Sequence, residues 1–144
     1  MTGIPQWMFE ETKARVYGMA IGSYSHDRNI TSIYVPIVGI KGSGDTKTKV
    51  TYQLFIDLDK FYIGIPDVFV LRPEDKDIRH VNIYPAGKFY CHKLKRALPA
   101  LCHGKYEETW KSYGDKKHLL MFFNHIQDLL NHENFQSPAR PRMR

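Results

Sequence analysis

Between residues 46 and 58 the chain alternates apolar and polar side chains, with Val50, Tyr52, Leu54, Ile56 and Leu58 on one face. A period of two does not fit a helix. It describes a strand with one face turned to a core. Residues 30–40, just before, are rich in β-branched side chains, and Pro36 among them marks an edge or a bulge. Lys41-Gly42-Ser43-Gly44-Asp45 has the composition of a hairpin loop. A further strand is expected over 15–23, closed by the turn residues Asp27-Arg28-Asn29. Another is expected over 61–71, which contains the apolar run Val68-Phe69-Val70-Leu71.

The period then changes. Leu119, Phe122, Phe123, Ile126, Leu129 and Leu130 recur at helical spacing, so 118–131 is expected to form a helix with one apolar face. A shorter helix is expected over 5–13, with Pro5 in its first turn. Pro85, Gly87 and Pro99 break up 80–101, which reads as a long loop. Long loops in compact domains are usually functional. Strands first and a helix last give an α+β class: a four-stranded antiparallel meander, a long active-site loop and a covering C-terminal helix. One domain is expected over 1–139, followed by a flexible basic tail at 140–144 that holds Arg140, Arg142 and Arg144.

Composition narrows the function. The formal net charge of +6 permits acidic partners without demanding nucleic acid. No strand carries a basic-aromatic stripe, so a nucleic-acid partner is the weakest option. No stretch approaches the roughly 20 apolar residues that cross a bilayer, so no membrane partner is expected. Met1-Thr2-Gly3-Ile4-Pro5 does not open a secretory leader. A cytoplasmic location is expected, with Cys91 and Cys102 as free thiols and a disulfide between them the lesser option. Gly42-Ser43-Gly44 lacks the helix and lysine of a phosphate loop. Cys91-His92 and Cys102-His103 could supply four zinc donors in number, but adjacent pairs chelate poorly. No metal or other cofactor is expected.

The order of elements, with particular residues from 61 onward, resembles the ubiquitin-conjugating enzyme (UBC-like) family. Phe61-Tyr62-Ile63-Gly64-Ile65-Pro66 resembles the family's tyrosine-and-proline segment before its fourth strand. His80-Val81-Asn82 is similar to its His-Pro-Asn tripeptide, with Val81 in place of proline, and Gly87 matches the glycine before its active cysteine. Cys102 precedes Trp110 by eight residues, the family's cysteine-to-tryptophan spacing. Ile126-Gln127-Asp128-Leu129-Leu130, Asn134 and Ser137-Pro138 resemble the close of its crossover helix, with Glu133 replacing a proline. The likeness covers roughly 15–139. The first helix is short, and about a dozen extra residues stand between Gly87 and Cys102. Both departures are similar to divergent bacterial relatives, some from CBASS anti-phage operons.

The resemblance implies a transferase. A cysteine thiolate accepts a protein C-terminal acyl group as a thioester and passes it to an acceptor. The implied protein substrate, in the bacterial group, is the C-terminus of a cGAS-like nucleotidyltransferase, with a separate activating enzyme. Cys102 is the preferred nucleophile, because the tryptophan and helix come after it at the right distance. Cys91 is the alternative, because it nearly keeps the glycine-to-cysteine spacing. Lys93, Lys95, Arg96, His103 and Lys105 are candidate cations to favour the thiolate. Asn82 is the candidate oxyanion donor. His80 is expected to tie the loop, with general-base work its lesser role. His103 adjoins Cys102, but adjacent side chains of an extended segment point apart. Trp110 is expected to anchor the core. The competing function is a catalytically inactive protein-binding module of the same fold.

Overall fold

The computed structural model describes residues 2–41, 47–134 and 139. The hairpin loop expected over 42–45, the Ser137-Pro138 pair and the tail expected over 140–144 lie outside the described residues.

Strands β1 (Ala20–Tyr24), β2 (Ile30–Lys41), β3 (Thr48–Asp57) and β4 (Asp67–Arg72) form the expected meander, each antiparallel to the next. The long loop is more structured than its sequence suggests. It contains four two-residue strands: β5 (Ile83–Tyr84), β6 (Tyr90–Cys91), β7 (Arg96–Ala97) and β8 (Ala100–Leu101). Strand β8 pairs with β4, and β5 pairs with β8. Among the described residues the sheet therefore has six strands, in the order β1-β2-β3-β4-β8-β5. Strands β6 and β7 form a separate hairpin.

Two expected strands are shorter in fact. Residues 15–19 leave the first helix in a turn, with the amides of Arg15 and Val16 both bonded to the Thr12 carbonyl. Gly18 takes a φ of +83°, and a Cβ there would meet the Pro36 ring at 2.8 Å, so this close turn requires glycine. Residues 61–64 also turn: Phe61 N–H donates to Leu58 O, and Gly64 N–H to Lys60 O. Strand β4 begins only at Asp67.

Among the described residues the α-helices are α1 (Gln6–Lys13), α2 (Tyr106–Ser112) and α3 (Leu119–Asn131). Helix α3 packs on β2 and against α1. Its apolar stripe is buried as expected, with Leu129 only partly so. His118 caps it, its Nδ1 accepting from the Leu120 amide at 3.0 Å.

The sheet separates two apolar clusters by its pleat. Leu54, Ile56, Val68, Val70 and Leu101 face the helices. Their neighbours Phe55, Phe69 and Ala100 point the other way and join Cys91 and Leu98. The helical face is covered chiefly by α3, which packs on β2. The opposite face is covered in part, by the β6–β7 hairpin, and an open groove remains beside it.

Candidate functional site: a thiol at the sheet edge

Cys102 lies one residue beyond β8, where its amide donates to the Asn82 carbonyl at 2.8 Å. In the β5–β8 ladder Tyr84 stands opposite Ala100 and Ile83 opposite Leu101. The side chains of 84, 100 and 102 therefore share one face, away from α3. Diagonal neighbours in a ladder lie within reach of an aromatic side chain, and both Tyr84 and Cys102 line one groove. The neighbouring Cys102 sulfur is the main reason the phenol is pushed up to about 12, with burial adding to it. Both residues line a groove of about 380 Å³ that also takes in Phe69, Phe89, Lys60 and Glu107. Cys102 is half-buried and opens into this groove.

Cys91 occupies different surroundings. It is 1% exposed, within the cluster of Phe55, Phe69, Leu98 and Ala100. Burial pushes its thiol up, opposed by hydrogen bonds from the Leu94 and Lys93 amides of the hairpin turn. Both cysteines are free thiols. Of the two, only Cys102 has a sulfur that a large reactant can approach.

The imidazole beside Cys102 turns inward, as expected of neighbours in an extended segment. His103 Nε2 lies 3.1 Å from the Pro66 carbonyl and Nδ1 lies 2.9 Å from His125 Nε2. A carbonyl only accepts, so Nε2 carries the proton of neutral His103 and Nδ1 accepts from His125. Burial lowers both groups, His103 to about 4 and His125 to about 3. The His125 ring stacks on Tyr106, with centroids 3.6 Å apart and planes 6° from parallel. His103 thus fastens the segment after the thiol to α3 and to the start of β4. His125, on the buried side of α3, gives no sign of this role in the helical pattern.

Asn82 departs from its expected role. Its side-chain amide donates to the carbonyls of Leu129 at 2.8 Å and His132 at 2.9 Å, and its oxygen accepts from the Asn134 amide at 3.0 Å. Both amide protons are thus engaged at the end of α3, and neither is left for an oxyanion in this arrangement. His80 is fully buried and ties the loop as expected. Its Nε2 donates to the Leu130 carbonyl at 3.0 Å, and its Nδ1 accepts from the Asn82 amide at 3.2 Å. Burial lowers His80 below the usual imidazole range. Both of its ring nitrogens are thus engaged within the fold.

The expected cations are mostly elsewhere. Lys93 holds Asp57 at 2.9 Å, Asp59 at 2.7 Å and the Thr31 carbonyl at 2.6 Å. Lys95, Arg96 and Lys105 are exposed and do not line the groove. The lysine that does line it is Lys60, 3.6 Å from Asp67. Trp110 is the anchor expected: fully buried on α2, its indole N–H donates to Phe61 O at 3.1 Å and Gly64 O at 2.8 Å. Those bonds hold the turn that carries Ile65 into the groove wall. Among the described residues, no three His, Cys, Asp or Glu side chains converge on a metal position, and no helix is long and apolar enough to cross a membrane. No protein-family model, curated protein or solved structure matches the chain.

Proposed function

We propose that the chain is an acyl carrier of the ubiquitin-conjugating type, with Cys102 as the nucleophile. The observation that carries this reading is the placement of Cys102: half-buried, on one face with Tyr84, and lining an open groove. A thiolate there attacks the thioester carbonyl at an activated protein C-terminus, expels the activating enzyme's thiolate, holds the acyl group as a new thioester, and yields it to an acceptor. The partly apolar groove receives the substrate tail, and a separate enzyme activates the carboxyl group. The resemblance of roughly 15–139 to the conjugating enzymes suggests a cGAS-like synthase in bacterial antiviral defence as the protein carried.

The engagement of Asn82 favours a second reading, a binding module of the same architecture without transfer activity. Protein purified from its host separates the two. Carrier activity gives an adduct that thiol reductant removes and that maps to Cys102. A binding module gives unmodified Cys102, and function survives Cys102→Ala.

A further inference from the structure

Neither Asn82 nor His80 offers a free donor to the reacting sulfur, and the ladder supplies a different one. Tyr84 and Cys102 project from the same face of adjoining strands whose pairing is fixed by Tyr84 opposite Ala100, Ile83 opposite Leu101 and the Cys102–Asn82 backbone bond. The Tyr84 ring is held edge-on by Phe89, with centroids 5.3 Å apart, and Lys88 Nζ lies 6.0 Å from its centroid. We propose that Tyr84 is a catalytic residue whose hydroxyl donates to the Cys102 sulfur and stabilises it whenever that sulfur carries negative charge. This rests on the acyl-carrier reading of Cys102.

The acceptor strength of the sulfur changes during the reaction. In the loaded protein the thioester sulfur is neutral and accepts weakly. An acceptor amine forms a bond to the carbonyl carbon, the carbon–sulfur bond breaks, and its electron pair leaves on sulfur. The proton lost by the amine passes to solvent or back to the thiolate, so the products are an amide and free Cys102. A hydrogen bond to the departing sulfur strengthens as its charge grows, and only such differential interactions accelerate the step. Loading differs: the attacking sulfur loses charge as its bond to carbon forms, so there the same hydrogen bond helps to hold the sulfur ionised beforehand and does not speed the attack itself. The phenol keeps its proton beside a negative sulfur and so remains a donor throughout.

The test is Tyr84→Phe, which keeps the ring and its contact with Phe89. Iodoacetamide alkylation of Cys102, with peptide mass measured across pH, reads the sulfur without requiring any substrate. The expected result is a rate about tenfold lower at neutral pH, the scale of one lost hydrogen bond to a charged group. The two proteins should converge at high pH, and their thermal unfolding should be alike. Superimposed pH profiles would overturn the proposal. Loading on host substrate is scored separately. A displaced profile with no thioester in either protein would leave Tyr84 as the donor to Cys102 and remove the acyl-carrier reading. A thioester formed and discharged at equal rates by both proteins, with profiles superimposed, would remove only Tyr84.

Discussion

His103 Nδ1 accepts a hydrogen bond from His125 Nε2 at 2.9 Å, and the direction of that bond is set at the far end, where His103 Nε2–H meets the Pro66 carbonyl. Two neutral imidazoles thus join the thiol-bearing segment to α3. Protonating the acceptor nitrogen of His103 would set an N–H against the N–H of His125 and break the link.

Acid should therefore loosen the fold before most carboxylates titrate. In the unfolded chain both histidines take up protons near 6.5. In the folded chain His103 does so only near 4 and His125 near 3. Between those values the unfolded state binds more protons, so stability falls as pH falls. The contribution is complete above about 6.5 and is lost progressively towards 4, on the order of a few kcal/mol. Urea unfolding across the range from roughly pH 7 down to about 4.5 measures it. His125→Phe keeps a ring for Tyr106 and should show a shallower dependence on pH.

Asn82→Ala should act on stability. It strips partners from the Leu129 and His132 carbonyls and the Asn134 amide, at a cost of about 2–3 kcal/mol. Chemical denaturation checks this, and loading of the folded protein at Cys102 should persist. Intact stability with loading abolished would restore the oxyanion role.

The fold is legible where periodicity runs long and illegible where contacts join distant residues. Strand β3 shows its face at Val50, Tyr52, Leu54 and Ile56, and α3 shows its stripe from Leu119 to Leu130. Strands β5 and β8 are two residues each, too short for any period, so periodicity alone gives a four-stranded sheet. Helix α2, which holds Trp110, is also not evident as a helix, since its polar residues leave one buried side chain to mark it. The partners of Asn82 lie 47 and 50 residues further along the chain. No local pattern points to them, so a loop asparagine reads as available for chemistry. The importance of Tyr84 is likewise visible only in the register that places it beside Cys102. In the sequence, Cys102 is set above Cys91 by its distance to Trp110 and to the helix beyond. The β6–β7 hairpin gives the physical distinction: Cys91 is buried between it and the sheet, whereas Cys102, on the same face, lines the groove left open beside it.

Gly39→Ala should be strongly felt although Gly39 lies on a strand. An added Cβ would sit 2.7 Å from the Leu130 carbonyl oxygen and 2.8 Å from its Cβ, so α3 must move off β2. Overpacking of this kind costs about 1–3 kcal/mol. A thermal melt should show the loss.

Trp110→Phe should keep much of the packing against Phe61 and Phe122 and lose the two indole hydrogen bonds. With the Phe61 and Gly64 carbonyls unpartnered, about 2–3 kcal/mol is the expected cost. Amide hydrogen exchange should rise selectively over residues 61–64. A uniform rise across the chain would mean that the indole acts only as core volume.

The most direct measurement is a count of reactive thiols on the native protein, by intact mass after a brief treatment with a bulky maleimide. One label on Cys102, with Cys91 labelled only after denaturation, is the expected result. A native label on Cys91, or none on Cys102, would contradict the claim that this fold seals one sulfur between its sheet and the β6–β7 hairpin and offers the other to a reactant.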